Sequence, residues 1–199
     1  ILNVSGVHVL PSVDPNDFLN HPNLGSIAER AFELMSGRQV LNTHFALHRA
    51  MAAGHEWMIS IDADELVFIE DSLGIEDSLR RYFESVPQDI ETIVFLPAEL
   101  IPTQIHSDHP FQENVHFNTA PQAKARKVHD PYTQQDFKIS SFVGHKSGKS
   151  AARTKPHITQ KNVHRFISTG GGNLTEQRSN WLLHYNITSF DHFIEKYRR

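Results

Sequence analysis

The sequence predicts an α/β chain built on a largely parallel sheet, and three observations predict it. Two fully apolar, strand-length runs occur at Trp57–Ile61 and Thr92–Leu96. Amphipathic helical patterns over about 40–53 and 75–86 precede each of them. The connections are short, with only Gly54-His55-Glu56 between the first of these helices and its strand, as expected of the αβ half of a parallel-sheet unit.

Each element has a local cause. Val4–Leu10 is a short extended stretch ended by Pro11, and Asp14-Pro15-Asn16-Asp17 and Asn20-His21-Pro22-Asn23 carry turn chemistry. Ile27, Ala31 and Leu34 fall near one face of a helix over Ile27–Met35. Leu41, Phe45, Leu47, His48 and Met51 give the next helix, Val40–Ala53, a broad apolar side, and Gly54 stands where a left-handed C-terminal residue belongs. Ile75, Leu79, Tyr82, Phe83 and Val86 repeat at helical spacing before Pro87. Past Pro97 the texture changes, and Ala98–Pro121, rich in Pro, His, Gln and Asn, reads as loop. Lys124–Val128, Phe137–Val143 and Asn162–Ile167 read as short strands, Gly170–Gly172 as a mobile loop, Leu182–His184 as a brief apolar segment, and a final helix starts at about Ser189. The expected organisation is a single domain over 1–199 made of two halves, 1–97 and 98–199.

Composition sets the outer bounds. At 199 residues, 39% hydrophobic and 21% charged, the chain is long enough for a real core. No segment approaches the roughly 20 apolar residues needed to span a bilayer. A net charge of −4 without a basic stripe makes nucleic acid a poor partner. The absence of cysteine excludes thiol chemistry, disulfides and thiolate metal sites. The 14 histidines are scattered rather than tracted, which argues against a His-rich metal-binding segment. The sequons at Asn3, Asn173 and Asn186 carry little weight. A chain that lacks an initial Met and stops within a predicted helix reads as a piece of a longer protein, so an anchor outside it is compatible with the sequence, as are cytoplasmic and Golgi or membrane-associated settings.

The most informative residues end the first apolar run. Trp57-Met58-Ile59-Ser60-Ile61 gives way to Asp62-Ala63-Asp64-Glu65. On an extended backbone, residues i and i+2 share a face, so Asp62 and Asp64 are expected to aim at one point. Two carboxylates at a strand's carboxyl end make a hard-oxygen site suited to Mg²⁺ or Mn²⁺, or to a phosphate bridged by one, and open α/β sheets bind ligands at such ends. Helix capping explains one such acid but not three. Lys146, Lys149 and Arg153 form a basic cluster able to clamp diphosphate oxygens. Without a strand before it and a helix after it, the Gly170–Gly172 run is no phosphate cradle.

Two chemistries share a strand that ends in DxD. In phosphohydrolases of the haloacid-dehalogenase type the first Asp is a nucleophile, but the motif lies on the first strand and later strands bring further acids. In nucleotide-sugar transferases the motif ends a strand in mid-domain and holds a divalent ion. The position of Asp62 and Asp64 favours the second. A non-catalytic, carbohydrate-binding remnant of such a transferase is a third alternative.

Asn42, Ala46-Leu47, Ala50 and Gly54, followed by Trp57 through Phe68, resemble the family 2-type and family 92-type glycosyltransferases. Lys146…Arg153 with Val163-His164, and then His184-Tyr185…Ser189…Phe193…Lys196, resemble later stretches of the same families in the same order. The resemblance implies a GT-A-like, Rossmann-like mixed but mostly parallel sheet flanked by helices, with the N-terminal strand missing. It implies a hexosyltransferase that uses Mn²⁺ or Mg²⁺ and a UDP- or GDP-linked sugar, with a glycan or other hydroxyl compound as acceptor. Asp62 would contact the ribose or the metal, Asp64 would be a direct metal ligand, and Glu65 would orient the site or the acceptor. His184 would be the C-terminal metal ligand, with His164 as its competitor, and Lys149 and Arg153 would face the diphosphate. An inverting reaction also needs a general base, and the spacing of Glu99, Asp108 and Glu113 does not choose among them.

Overall fold

The computed structural model describes residues 11–70, 77–119, 126–130, 134–139, 147–170 and 172–198. The strand expected at Val4–Leu10, the start of the helix expected at Ile75, the start of the strand expected at Lys124, the residues expected to extend a strand from 140 to 143, and Lys146 lie outside them. The elements, in order, are a 3₁₀ turn Pro15–Phe18, α1 Gly25–Ala31, α2 Met35–Ala52, β1 Trp57–Ile59, β2 Glu65–Phe68, α3 Ser78–Ser85, β3 Thr92–Leu100, α4 Pro110–Glu113, β4 Phe117–Asn118, β5 Arg126–Asp130, β6 Gln135–Ile139, β7 Lys149–Arg153, β8 Ile158–Asn162, β9 Arg165–Ser168, β10 Glu176–His184 and α5 Phe190–Tyr197.

Local chemistry accounts for the boundaries. Asp14 accepts the Asn16 N–H at 2.9 Å and caps the first turn. Gly54, at φ +76°, ends α2 in the left-handed conformation its position predicts. Ser189 caps α5 by accepting the His192 N–H at 3.1 Å. Strand β1 is shorter than the apolar run, because the chain leaves it after Ile59 and turns at the acids.

The chain divides into two compact units, Ile1–Met58 with Ala152–Leu174, and Ile59–Ala151 with Thr175–Arg199. In the first, Leu24, Ala28 and Ala31 of the α1 region pack on Val40 and Leu41 of α2, with Phe18 and Ile27 against them. A second cluster joins Leu47 to Ala152, Ile158 and Phe166, and β8 and β9 pair as an antiparallel hairpin. His44 is buried there, with Nδ1 3.0 Å from Thr159 Oγ1 and its ring beside those of His21 and His48. Burial first, then the two neighbouring imidazoles, lower its pKa to about 4.

The second unit carries most of the main sheet, whose strand order among the described residues is β1-β7-β3-β10-β2, with β4 on β3. Its centre is β3, where Ile93, Val94, Phe95 and Ala98 are buried, and Tyr82 and Phe83 of α3 set their rings 6.2 and 6.4 Å from that of Phe95. Strand β10 runs parallel to β3 and antiparallel to β2, and β4 runs antiparallel to β3. The sheet is therefore mixed, and these pairings are less parallel than the alternation of helices and strands predicts. Strand β3 also continues through Pro97 to Leu100, where the sequence reads as loop. Among the described residues, no helix is long and apolar enough to cross a membrane.

Candidate functional site

The acids lie on a tight turn rather than on a continuing strand. The Glu65 N–H donates to the Asp62 carbonyl at 3.1 Å, and Glu65 Oε2 accepts the Asp62 N–H at 2.8 Å. Both bonds close the segment Asp62–Glu65 between β1 and β2. The expectation that Asp62 and Asp64 converge as alternate residues of an extended strand is therefore corrected, because the turn gives each a different partner.

Asp62 meets a lysine. Lys149 at the start of β7 is buried, and its Nζ lies 2.7 Å from Asp62 Oδ2 and 3.9 Å from Glu65 Oε2. It is held there by the preceding Gly148, at φ +63°, whose bare Cα passes against the β3 backbone; a Cβ would stand 2.0 Å from the Phe95 carbonyl oxygen. Glu65 is buried, which raises its pKa; the bond from Asp62 N and the Lys149 charge act the other way.

Asp64 meets a histidine. His184, the last residue of β10, places Nε2 3.5 Å from Asp64 Oδ2. The next residue, Tyr185, donates its N–H to the Asp64 carbonyl at 2.8 Å, so the β10 terminus and the acidic turn are joined through backbone as well. In register, His184 stands between Glu65 of β2 and Glu99 of β3. Cross-strand partners share a face, so Glu65, His184 and Glu99 form one row.

These donors fit a divalent cation. Two ligands bound at about 2.1 Å each stand about 3–3.4 Å apart when adjacent on one ion, close to the Asp64–His184 separation. That separation is long for a hydrogen bond. Of the acids here, Asp62 and Glu65 meet the Lys149 ammonium. Among the described residues no three His, Asp or Glu side chains converge as a complete metal cage. The expected ligand set of Asp62, Asp64, His184 and His164 is thus not assembled as a cluster. Two protein ligands suffice for Mg²⁺-type ions that take their remaining oxygens from phosphate and water.

The other predicted residues have partners of their own. His164 belongs to the first unit, in the turn between β8 and β9, where its N–H donates to Asn162 Oδ1 at 2.8 Å. Arg153, also in that unit, is buried, pairs with Glu56, and stacks 4.4 Å over the Trp57 ring. Its charge is met within its own unit. Asp108 pairs with His106 at 2.9 Å on the surface, and Glu113 accepts from Ser107 Oγ and His109 N at the start of α4. Spacing along the chain groups Lys149 with its basic neighbours and does not reveal it as the partner of Asp62. The small residues Ser150-Ala151-Ala152 beside it mark a buried strand and were the available signal.

No family model matches the chain. Two proteins of Arabidopsis thaliana, both named glycosyltransferase-like, are similar to it. One is 29% identical over 156 residues, covering 77% of this chain and 34% of that protein. The other is 29% identical over 131 residues, covering 65% of this chain and 25% of that protein. The chain thus spans about a third and a quarter of the lengths of these relatives, and it is related to glycosyltransferase-like proteins.

Proposed function

We propose that this chain is part of a metal-dependent glycosyltransferase of GT-A type that moves a hexose from a UDP- or GDP-linked sugar to a hydroxyl of a glycan or similar acceptor. The observation that carries the reading is the meeting of Asp64 and His184 at the edge of the acidic turn, 3.5 Å apart and fixed by the Tyr185–Asp64 backbone bond. The names of the two relatives support a transferase in general.

In this reading Asp64 and His184 hold Mn²⁺ or Mg²⁺ against the donor diphosphate, with Asp62 at its ribose side. A bound divalent ion supplies positive charge to offset that which builds on the departing diphosphate. Lys149 orients Asp62 and tempers the charge of the turn. Glu65 is a positioning residue, since it closes the turn by accepting the Asp62 N–H. The acceptor oxygen bonds to the anomeric carbon while the bond from that carbon to the diphosphate oxygen breaks.

Calorimetric titration of UDP and GDP, with and without Mn²⁺, on wild type and Asp64→Ala tests the reading. Metal-dependent binding of either nucleotide that is lost in Asp64→Ala is the expected result. Equal affinity with and without Mn²⁺, or metal-dependent binding that survives the substitution, refutes it.

A further inference from the structure

Beside the proposed donor site, β3 ends at a cavity of about 260 Å³ whose lining includes Glu99, Asn118 and Asn186 together with Ile101, Pro102 and Ile187. A carboxylate and two carboxamides together with aliphatic side chains suit a ligand with hydroxyls on its rim and C–H groups on its face, and the oxygen of one carboxamide, that of Asn186, already accepts from Lys196 Nζ. The volume lies just under the roughly 300–1,000 Å³ of pockets that hold drug-sized ligands, which suits one ring rather than an oligosaccharide.

The register ties this cavity to the acidic turn. Glu99 pairs with His184 on one side and with Asn118 on the other, and His184 pairs in turn with Glu65. One row of side chains thus runs Asn118, Glu99, His184, Glu65 across four strands. Neighbouring strands lie about 4.8 Å apart, so Glu99 is one strand from the histidine that meets Asp64. One lining residue of the cavity, Glu99, is therefore the cross-strand neighbour of the histidine that meets Asp64.

We infer that this cavity is the acceptor subsite, that it takes a single monosaccharide ring or comparable polyol, and that Glu99 receives the proton of the attacking hydroxyl. The inference rests on the transferase reading above and adds the acceptor's class and the base. In a single displacement the acceptor oxygen forms its bond to the anomeric carbon, the nucleoside diphosphate leaves with the electron pair of the broken bond, and the hydroxyl proton passes to the Glu99 carboxylate. The two other acids in contention, Asp108 and Glu113, are not among the residues that line this cavity. Asp108 is on the surface with His106, and Glu113 binds Ser107 and the His109 N–H.

The test uses methyl glycosides of glucose, galactose, mannose and fucose as probes in saturation-transfer NMR, on wild type, Glu99→Gln and Ile101→Trp. Ile101 is half exposed, so a tryptophan there fills the cavity without crowding the core. At least one glycoside should bind wild type, bind Glu99→Gln several-fold more weakly, and fail to bind Ile101→Trp, while Mn²⁺-dependent UDP or GDP binding stays within twofold in both variants. Release of nucleoside diphosphate from UDP- or GDP-hexose in the presence of that glycoside should fall at least a hundredfold in Glu99→Gln and be partly restored in Glu99→Asp. Failure of every glycoside to bind wild type, or undiminished binding to Ile101→Trp, overturns the subsite. Turnover by Glu99→Gln at the wild-type rate, or a wild type that binds glycoside without any release, overturns the proton role. Glycoside binding that depends on Ile101 and Glu99 in a chain that binds no nucleotide refutes the donor reading while supporting the sugar cavity.

Discussion

His184 Nε2 lies 3.5 Å from Asp64 Oδ2, and the N–H of the adjoining Tyr185 binds the Asp64 carbonyl at 2.8 Å. Residues 120 positions apart in the chain are therefore fixed to each other twice, once through backbone and once through groups that bind hard cations. The backbone bond keeps the acidic turn and the β10 terminus side by side, which brings the two side chains within reach of each other.

Removing the lysine partner of Asp62 should loosen the turn. Lys149→Met keeps the buried stem but removes the ammonium that Asp62 and Glu65 meet. Because Asp62 is 43% exposed, water compensates part of the loss, and the cost should be about 1–3 kcal/mol in urea denaturation. A midpoint unchanged from wild type contradicts this.

Two glycines with positive φ should respond unequally to alanine. At Gly54 a Cβ meets nothing within 4 Å, so Gly54→Ala costs only the left-handed strain, about 1–2 kcal/mol. At Gly148 the same Cβ would stand 2.0 Å from the Phe95 carbonyl oxygen, so Gly148→Ala should cost clearly more and displace Lys149. Equal losses in thermal or urea unfolding would show that β7 does not need its close approach to β3.

Acid should destabilise the unit that holds His44. Its pKa is lowered from 6.5 to about 4, so folding favours the neutral ring. The stability this contributes is present above pH 6.5 and is lost as pH falls through 6.5 towards 4. At most about 3 kcal/mol is at stake. His44→Gln, which does not titrate, should flatten the dependence of unfolding on pH in that window, and an unchanged slope contradicts the assignment.

What the sequence reveals and what it hides follow from the range of the forces involved. Helix α2 with its Gly54 stop, the core of β3 and the Ser189-capped α5 are legible because periodicity, capping and backbone freedom act over a few residues. The passage of β3 through Pro97 is not, since a strand-interior proline is tolerated only where its neighbours allow it. Here the Pro97 ring lies close to Gly148, just before β7 begins, and β3 takes β4 as a neighbour from Glu99 onward. The three acids were recognisable as unusual, yet their division between Lys149 and His184 was not. Those partners lie 87 and 120 residues away, and sheet order alone brings them in. Register also separates Glu99 from Asp108 and Glu113, which no spacing along the chain could do.

The most direct measurement is a double-mutant cycle on Mn²⁺-dependent UDP or GDP affinity with Asp64→Ala, His184→Ala and both together. If the two residues hold one ion, each single substitution should weaken binding at least about tenfold, about 1.4 kcal/mol, and the double should be little worse than the more damaging single. Losses that simply add, or metal-dependent affinity that survives both substitutions, would contradict a shared ion between Asp64 and His184.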